Sequence, residues 1–145
     1  MIRYTLGLLA IAALVGVAAA AEKADADLEK IQGSWKLMSL EIQGKTIPAP
    51  EGGGTFIFGK DNKLVIKEKD KADKEGTFKI DASKDPKELD LIGATTKEKE
   101  TMRTIYQLDG DTLKLAFSAE GPKGGRPTAF DSKKAAIMIL KRQKP

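Results

Sequence analysis

From Trp35 to the C terminus, apolar residues recur at every second position in short runs, and most runs end in residues that suit tight turns. A period of two sends alternate side chains to opposite faces of an extended chain, so these runs predict half-buried β-strands. The pattern places strands at residues 34–42, 55–59, 63–69, 76–80, 88–92, 101–108, 112–118 and 135–141. Between them lie Gln43-Gly44-Lys45, Lys60-Asp61-Asn62, segment 81–87 with Pro86, and Asp109-Gly110-Asp111. These residues tolerate the tight or left-handed backbone of a turn, and Asp109-Gly110 is the plainest hairpin signal. Links this short leave no room for crossover helices, so the strands should form an antiparallel up-and-down meander.

Parity then assigns the faces. Phe56 and Phe58, Leu64 and Ile66, Phe78 and Ile80, Leu89 and Leu91, Tyr106 and Leu108, and Leu113, Leu115 and Phe117 share one side. Their neighbours, among them Lys79, Asp90, Arg103, Gln107 and Lys114, are mostly polar and belong in water. The first and last strands break the rule: Met38, Leu40 and Ile42, and Ile137 to Leu140, offer apolar groups to both faces. Those strands should be bulged or covered on both sides near a barrel closure. The weakly patterned segments 93–100 and 119–128 are expected to be the most mobile, and one or both to rim any open mouth.

Ahead of the strands the period is lost. Arg3, an apolar stretch from Leu6 to Val17 and Ala18-Ala19-Ala20-Ala21 have the order of a secretory signal, with cleavage expected before Glu22. The apolar run is shorter than the roughly 20 residues of a spanning helix, so no stable membrane insertion is expected after cleavage. Segment 22–32 is polar and helix-tolerant, a possible short helix or lid before Gly33. The expected organisation is therefore a signal at 1–21, a lead-in at 22–32 and one domain at 33–145, located outside the cytoplasm.

Composition narrows the chemistry. The 145 residues are 41% hydrophobic, enough for one ordinary core. Cysteine is absent, which excludes disulfides, thiol nucleophiles, Cys-ligated metals and an acylated lipoprotein cysteine. Histidine is absent too, which removes Ser-His-Asp and Cys-His catalysis and ordinary zinc sites. Lys and Arg total 25, so loss of Arg3 with the signal leaves 24 against 21 Asp and Glu, a formal +3. Opposite charges alternate, as in Lys67-Glu68-Lys69-Asp70-Lys71, and no basic stripe marks a nucleic-acid partner.

Gly33-Ser34-Trp35 at the head of the first strand, followed by this meander, resembles the Gly-x-Trp opening of lipocalins and fatty-acid-binding proteins. The wider pattern, with Tyr106-Gln107-Leu108-Asp109-Gly110-Asp111-Thr112-Leu113 and Gly125-Arg126-Pro127-Thr128-Ala129-Phe130 before a final apolar strand, is similar to a lipocalin-like domain family of unassigned function abundant in planctomycetes. The resemblance implies an all-β barrel of about eight strands. It also implies that Gly33, Trp35 and Arg142 close one end, with a basic side chain stacked on the indole; Lys141 is the alternative to Arg142. It brings no activity with it.

Candidate sites are few. Asp109 with Asp111 and Asp61-Asn62 are better explained by turn geometry than by catalysis or calcium, since an EF-hand spacing is missing. Gly52-Gly53-Gly54 lacks the Lys-Ser or Lys-Thr of a phosphate loop and reads as a flexible connector. Phe56, Phe58, Phe78, Tyr106 and Phe117 could line a cavity for a small hydrophobic or amphipathic ligand, or could simply fill the barrel. The expectation is thus a non-enzymatic protein without a cofactor, either a ligand-binding module or a solid-core structural or interaction module whose protein partner the sequence does not name.

Overall fold

In the computed structural model of the chain, residues 26–94 and 100–144 are described; the expected signal segment and residues 95–99 of the segment 93–100 lie outside them. Among the described residues nine strands form one antiparallel sheet: β1 (Gly33–Ile42), β2 (Lys45–Pro48), β3 (Thr55–Phe58), β4 (Lys63–Lys67), β5 (Lys74–Asp81), β6 (Glu88–Ile92), β7 (Thr101–Asp109), β8 (Thr112–Phe117) and β9 (Ala136–Arg142). From β3 to β9 each strand pairs with the next, and β9 returns to β1, with Trp35 opposite Arg142 and Leu37 opposite Leu140. The result is a closed eight-stranded barrel of lipocalin-like form, with β2 added outside the ring against residues 39–42 of β1. Closure removes the free edges of the ring, and the one added edge is four exposed residues ending in proline, a poor template for further pairing. No helix among the described residues is long and apolar enough to cross a membrane.

The expected strand positions agree with the structure, apart from β2 and shifts of one or two residues at the ends. The inward set also lies where parity puts it, because same-face residues meet directly across the ladder: Phe56 with Ile66, Phe58 with Leu64, Phe78 with Leu91, and Tyr106 with Leu115. Phe58 and Phe78 meet edge to face with ring centroids 5.0 Å apart. Full burial of side chains of this size contributes about 1.5–3 kcal/mol each. On the opposite face charges alternate across the strands, with Lys79, Asp90 and Arg103 side by side.

The two irregular strands behave as their sequences suggest. In β1 the register against β9 shifts between Leu37 and Ser39, and this bulge turns both Leu37 and Leu40 inward. Outside β7–β9 a second apolar cluster, Ile105, Ala116 and Ile137, is covered by Phe130. The cover comes from the segment joining β8 to β9, which starts and finishes at the mouth end but is not left there as a free loop. Instead Arg126 straps that segment to the outer wall, with Nε 3.3 Å from Glu88 Oε1 and Nη1 donating to the Thr104 carbonyl at 2.7 Å. Its Nη2 lies 2.7 Å from Asp90 Oδ1 as a charge contact without an aligned hydrogen bond.

Antiparallel order sorts the connections to two ends. One end gathers Gly33, the turns 59–62, 82–87 and 109–111, and Arg142. The other gathers 43–54, 68–73, Gly93, Ala94 and Glu100 beside β6 and β7, and the start and finish of the 118–135 strap.

Candidate functional site

The Gly33 end is plugged by the helical residues 26–31. A helix leaves its last carbonyls without intrahelical donors, and two side chains supply them here. Trp35, fully buried, donates Nε1–H to the Ile31 carbonyl at 2.7 Å. Arg142 donates Nη1 to the Gln32 carbonyl at 2.8 Å and Nη2 to the Lys30 carbonyl, while its guanidinium carbon stands 4.3 Å from the centre of the Trp35 ring. A cation at a helix C terminus also meets the negative end of the dipole, and the indole face adds a cation–π contact. Lys141, the alternative sequence candidate, is exposed. Asp111 completes the joint: its carbonyl accepts the Arg142 N–H at 2.9 Å and its carboxylate lies 3.7 Å from Arg142 Nε.

The helix is held a second time by a group the sequence did not flag. Asp27, only 7% exposed, accepts hydrogen bonds from Lys87 Nζ at 2.8 Å and Tyr106 Oη at 2.7 Å. Burial by itself raises a carboxyl pKa, but the two donors outweigh it and hold Asp27 below the usual range. The Tyr106 phenol is driven well above its ordinary value, first by burial and then by the carboxylate it serves. One clue was available: a tyrosine placed inward by parity needs a partner for its hydroxyl. Both donors thereby tie the carboxylate to the barrel wall and hold the plug in place. Among the described residues no three carboxylate, His or Cys side chains converge as a metal site.

Within the barrel, Phe58, Phe78 and Tyr106 are at most 2% exposed and Phe56 is 6% exposed, all in one cluster with Trp35 and the inward leucines; Phe117 is partly buried against it. These five sequence candidates therefore belong to one apolar cluster, in which Phe58 and Phe78 meet directly. The turn candidates take up turn geometry: Asp61 and Asn62 have φ of 62° and 59°, and Asn62 donates to the Phe78 carbonyl at 3.0 Å.

At the plug end a cleft of about 380 Å³ is lined by Lys87, Tyr106 and Phe130, and a larger one lies at the opposite end. A cleft of about 610 Å³ opens between the 50–54 loop and the β4–β5 turn. Leu37, Leu40 and Pro50 give it an apolar lining, and Glu51 with Glu68-Lys69-Asp70-Lys71 gives it a charged one. Cross-strand pairing sets Ile47, 48% exposed, directly opposite Leu40 and so on the same face, which extends the apolar floor past the lip. Gly52-Gly53-Gly54, read from sequence as a connector, forms one wall. Gly52 is left-handed, with φ of 78°, and a Cβ there would stand 2.8 Å from the Lys69 stem, so this position has no room for a side chain. Smaller clefts of about 350 and 420 Å³ border the strap on the outside of the barrel. No family model matches the chain, and neither the curated proteins nor the solved structures contain a match to it.

Proposed function

We propose that this chain is an exported, non-enzymatic binding module that takes a small amphipathic molecule in the mouth cleft, not in the barrel interior. The observation that carries the reading is the cleft of about 610 Å³ with a leucine floor and a charged rim, at the end opposite the plug. Its volume falls within the roughly 300–1,000 Å³ of small-molecule sites, which commonly combine apolar walls with a few polar groups. Export rests on the charged, apolar and small-residue order of the first 21 residues.

The test has two steps. First, the protein is purified from its native compartment and its N terminus and organic extract are examined by mass spectrometry; a chain beginning at Glu22 with a co-purifying amphiphile is expected. Second, the mature protein is titrated with the uncharged dye N-phenyl-1-naphthylamine, and Glu51→Trp, which fills the cleft from an exposed position, should abolish the bound fluorescence with the circular dichroism unchanged. An empty extract, with dye binding indifferent to Glu51→Trp, would overturn the reading. That outcome would favour a solid-core interaction module working through its surface, which the packed interior and the exposed Met38 and Ile47 also support.

A further inference from the structure

We infer, resting on the mouth cleft as the binding site, that the ligand is a single-chain amphiphile with a zwitterionic head. The rim offers both signs of charge, and only part of each is paired internally. Glu68 lies 3.1 Å from Lys71 Nζ and 3.7 Å from Lys74 Nζ, so one carboxylate there faces two ammonium groups. Lys69, Asp70 and Glu51, which also line the cleft, make no ion pair among the described residues. The three acidic groups Glu51, Glu68 and Asp70 are balanced by the three lysines 69, 71 and 74, and both a cation and two carboxylates are left to be paired from outside.

The rim is also held in place. The Lys69 stem lies against Gly52, the Lys69 N–H faces the Gly52 carbonyl at 3.4 Å, and Asp70 turns the chain with φ of 60°. A purely anionic head would pair with Lys69 in a cleft that Asp70 and Glu51 also line, and a purely cationic head would meet the reverse conflict. Like-charge juxtaposition is a strong means of rejection. A head carrying an ammonium and an acid group pairs with both, while its chain covers Leu37, Leu40 and the exposed Ile47.

Competition against the bound dye with decylphosphocholine, decyl sulfate and decyltrimethylammonium, all below their micelle concentrations, tests this. The chain is the same in each, so differences report the head. Decylphosphocholine should bind at least about tenfold tighter than either single-charge analogue, a difference that one charge-assisted contact supplies. Lys69→Gln should narrow its advantage over the cation. Asp70→Asn, a residue that keeps the left-handed turn, should narrow its advantage over the anion. Sedimentation with phosphatidylcholine vesicles then separates a head read on a bilayer, with the protein in the pellet, from a monomer taken from solution; both support the head chemistry. Equal or tighter binding of decyl sulfate or decyltrimethylammonium would overturn the zwitterion and leave the cleft standing. Failure of all three to displace the dye would overturn the cleft as well.

Discussion

Gly33 has a φ of 124°, which side-chain-bearing residues rarely adopt, and a Cβ there would stand 2.9 Å from Arg142 Nη1. The glycine therefore serves the arginine: it keeps clear the space in which the guanidinium reaches two helix carbonyls while covering the indole. Gly33→Ala should lower stability by about 1–3 kcal/mol through backbone strain and displacement of that fork. Arg142→Lys should lose a similar amount, about 1–3 kcal/mol, because an ammonium lacks the planar fork that serves both carbonyls. Urea denaturation with unchanged slope is the measurement; a loss confined to a few tenths of a kcal/mol would contradict the account.

The pair Asp27 and Tyr106 gives a second prediction at the same scale. Asp27 titrates below its ordinary 3.8 in the fold, so its contribution is present above that value in pH and fades as pH falls through it. Tyr106 titrates above its ordinary 10.0, so its contribution is present below pH 10.0 and fades as pH rises past it. The urea midpoint should therefore fall in acid and in alkali. Tyr106→Phe should flatten the alkaline fall and Asp27→Asn the acid one. Profiles parallel to the unaltered protein at both extremes would show that the plug is not fastened this way.

Among the elements, those with an amphipathic period were legible and those without were not. Strands β3 to β8 each bury one face, and a period of two records that in the sequence itself. Strand β2 is exposed along its whole length, so nothing in Lys45-Thr46-Ile47-Pro48 had to alternate. The 26–31 helix was legible only as helix-tolerant, because Asp27 owes its place to Lys87 and Tyr106, 60 and 79 residues away in sequence. The Gly-rich wall of the mouth cleft left only its turn composition in the sequence, since the cleft depends on the Lys69 stem lying across Gly52. The 118–135 strap looked like a free loop for a similar reason: Glu88 and Asp90 are visible as outward acids on β6, but their partner Arg126 comes from beyond β8. Arg126→Gln should cost about 1–2 kcal/mol through its charge-assisted contacts. It should also speed proteolysis within 119–128 at a urea concentration where the barrel remains folded. Cleavage at the unaltered rate would mean that Phe130, not Arg126, holds the strap.

For the whole molecule, the question that decides whether a ligand sits at the mouth or in the lumen is whether the barrel is hollow, and one truncation answers it. Phe78 is 1% exposed, meets Phe58 edge to face and pairs across the sheet with Leu91. In a packed interior Phe78→Ala forfeits both the transfer energy of the ring and the contacts of its neighbours around a new void, about 3–5 kcal/mol together. That is a large part of the 5–15 kcal/mol that holds a domain of ordinary stability folded. In a hollow barrel the ring would border an existing void, the cavity part of the cost would be absent, and the variant would bind ligand differently. The expected outcome is a large fall in urea midpoint together with unaltered dye affinity in the temperature range where the variant stays folded, because the cleft floor at Leu37 and Leu40 belongs to β1 and the mouth end. A small stability loss accompanied by a changed dye affinity would move the binding site from the mouth into the lumen. The aromatic residues that the sequence offers as ligand contacts would then hold that role, and the zwitterion argument, which rests on rim charges, would fall with the cleft.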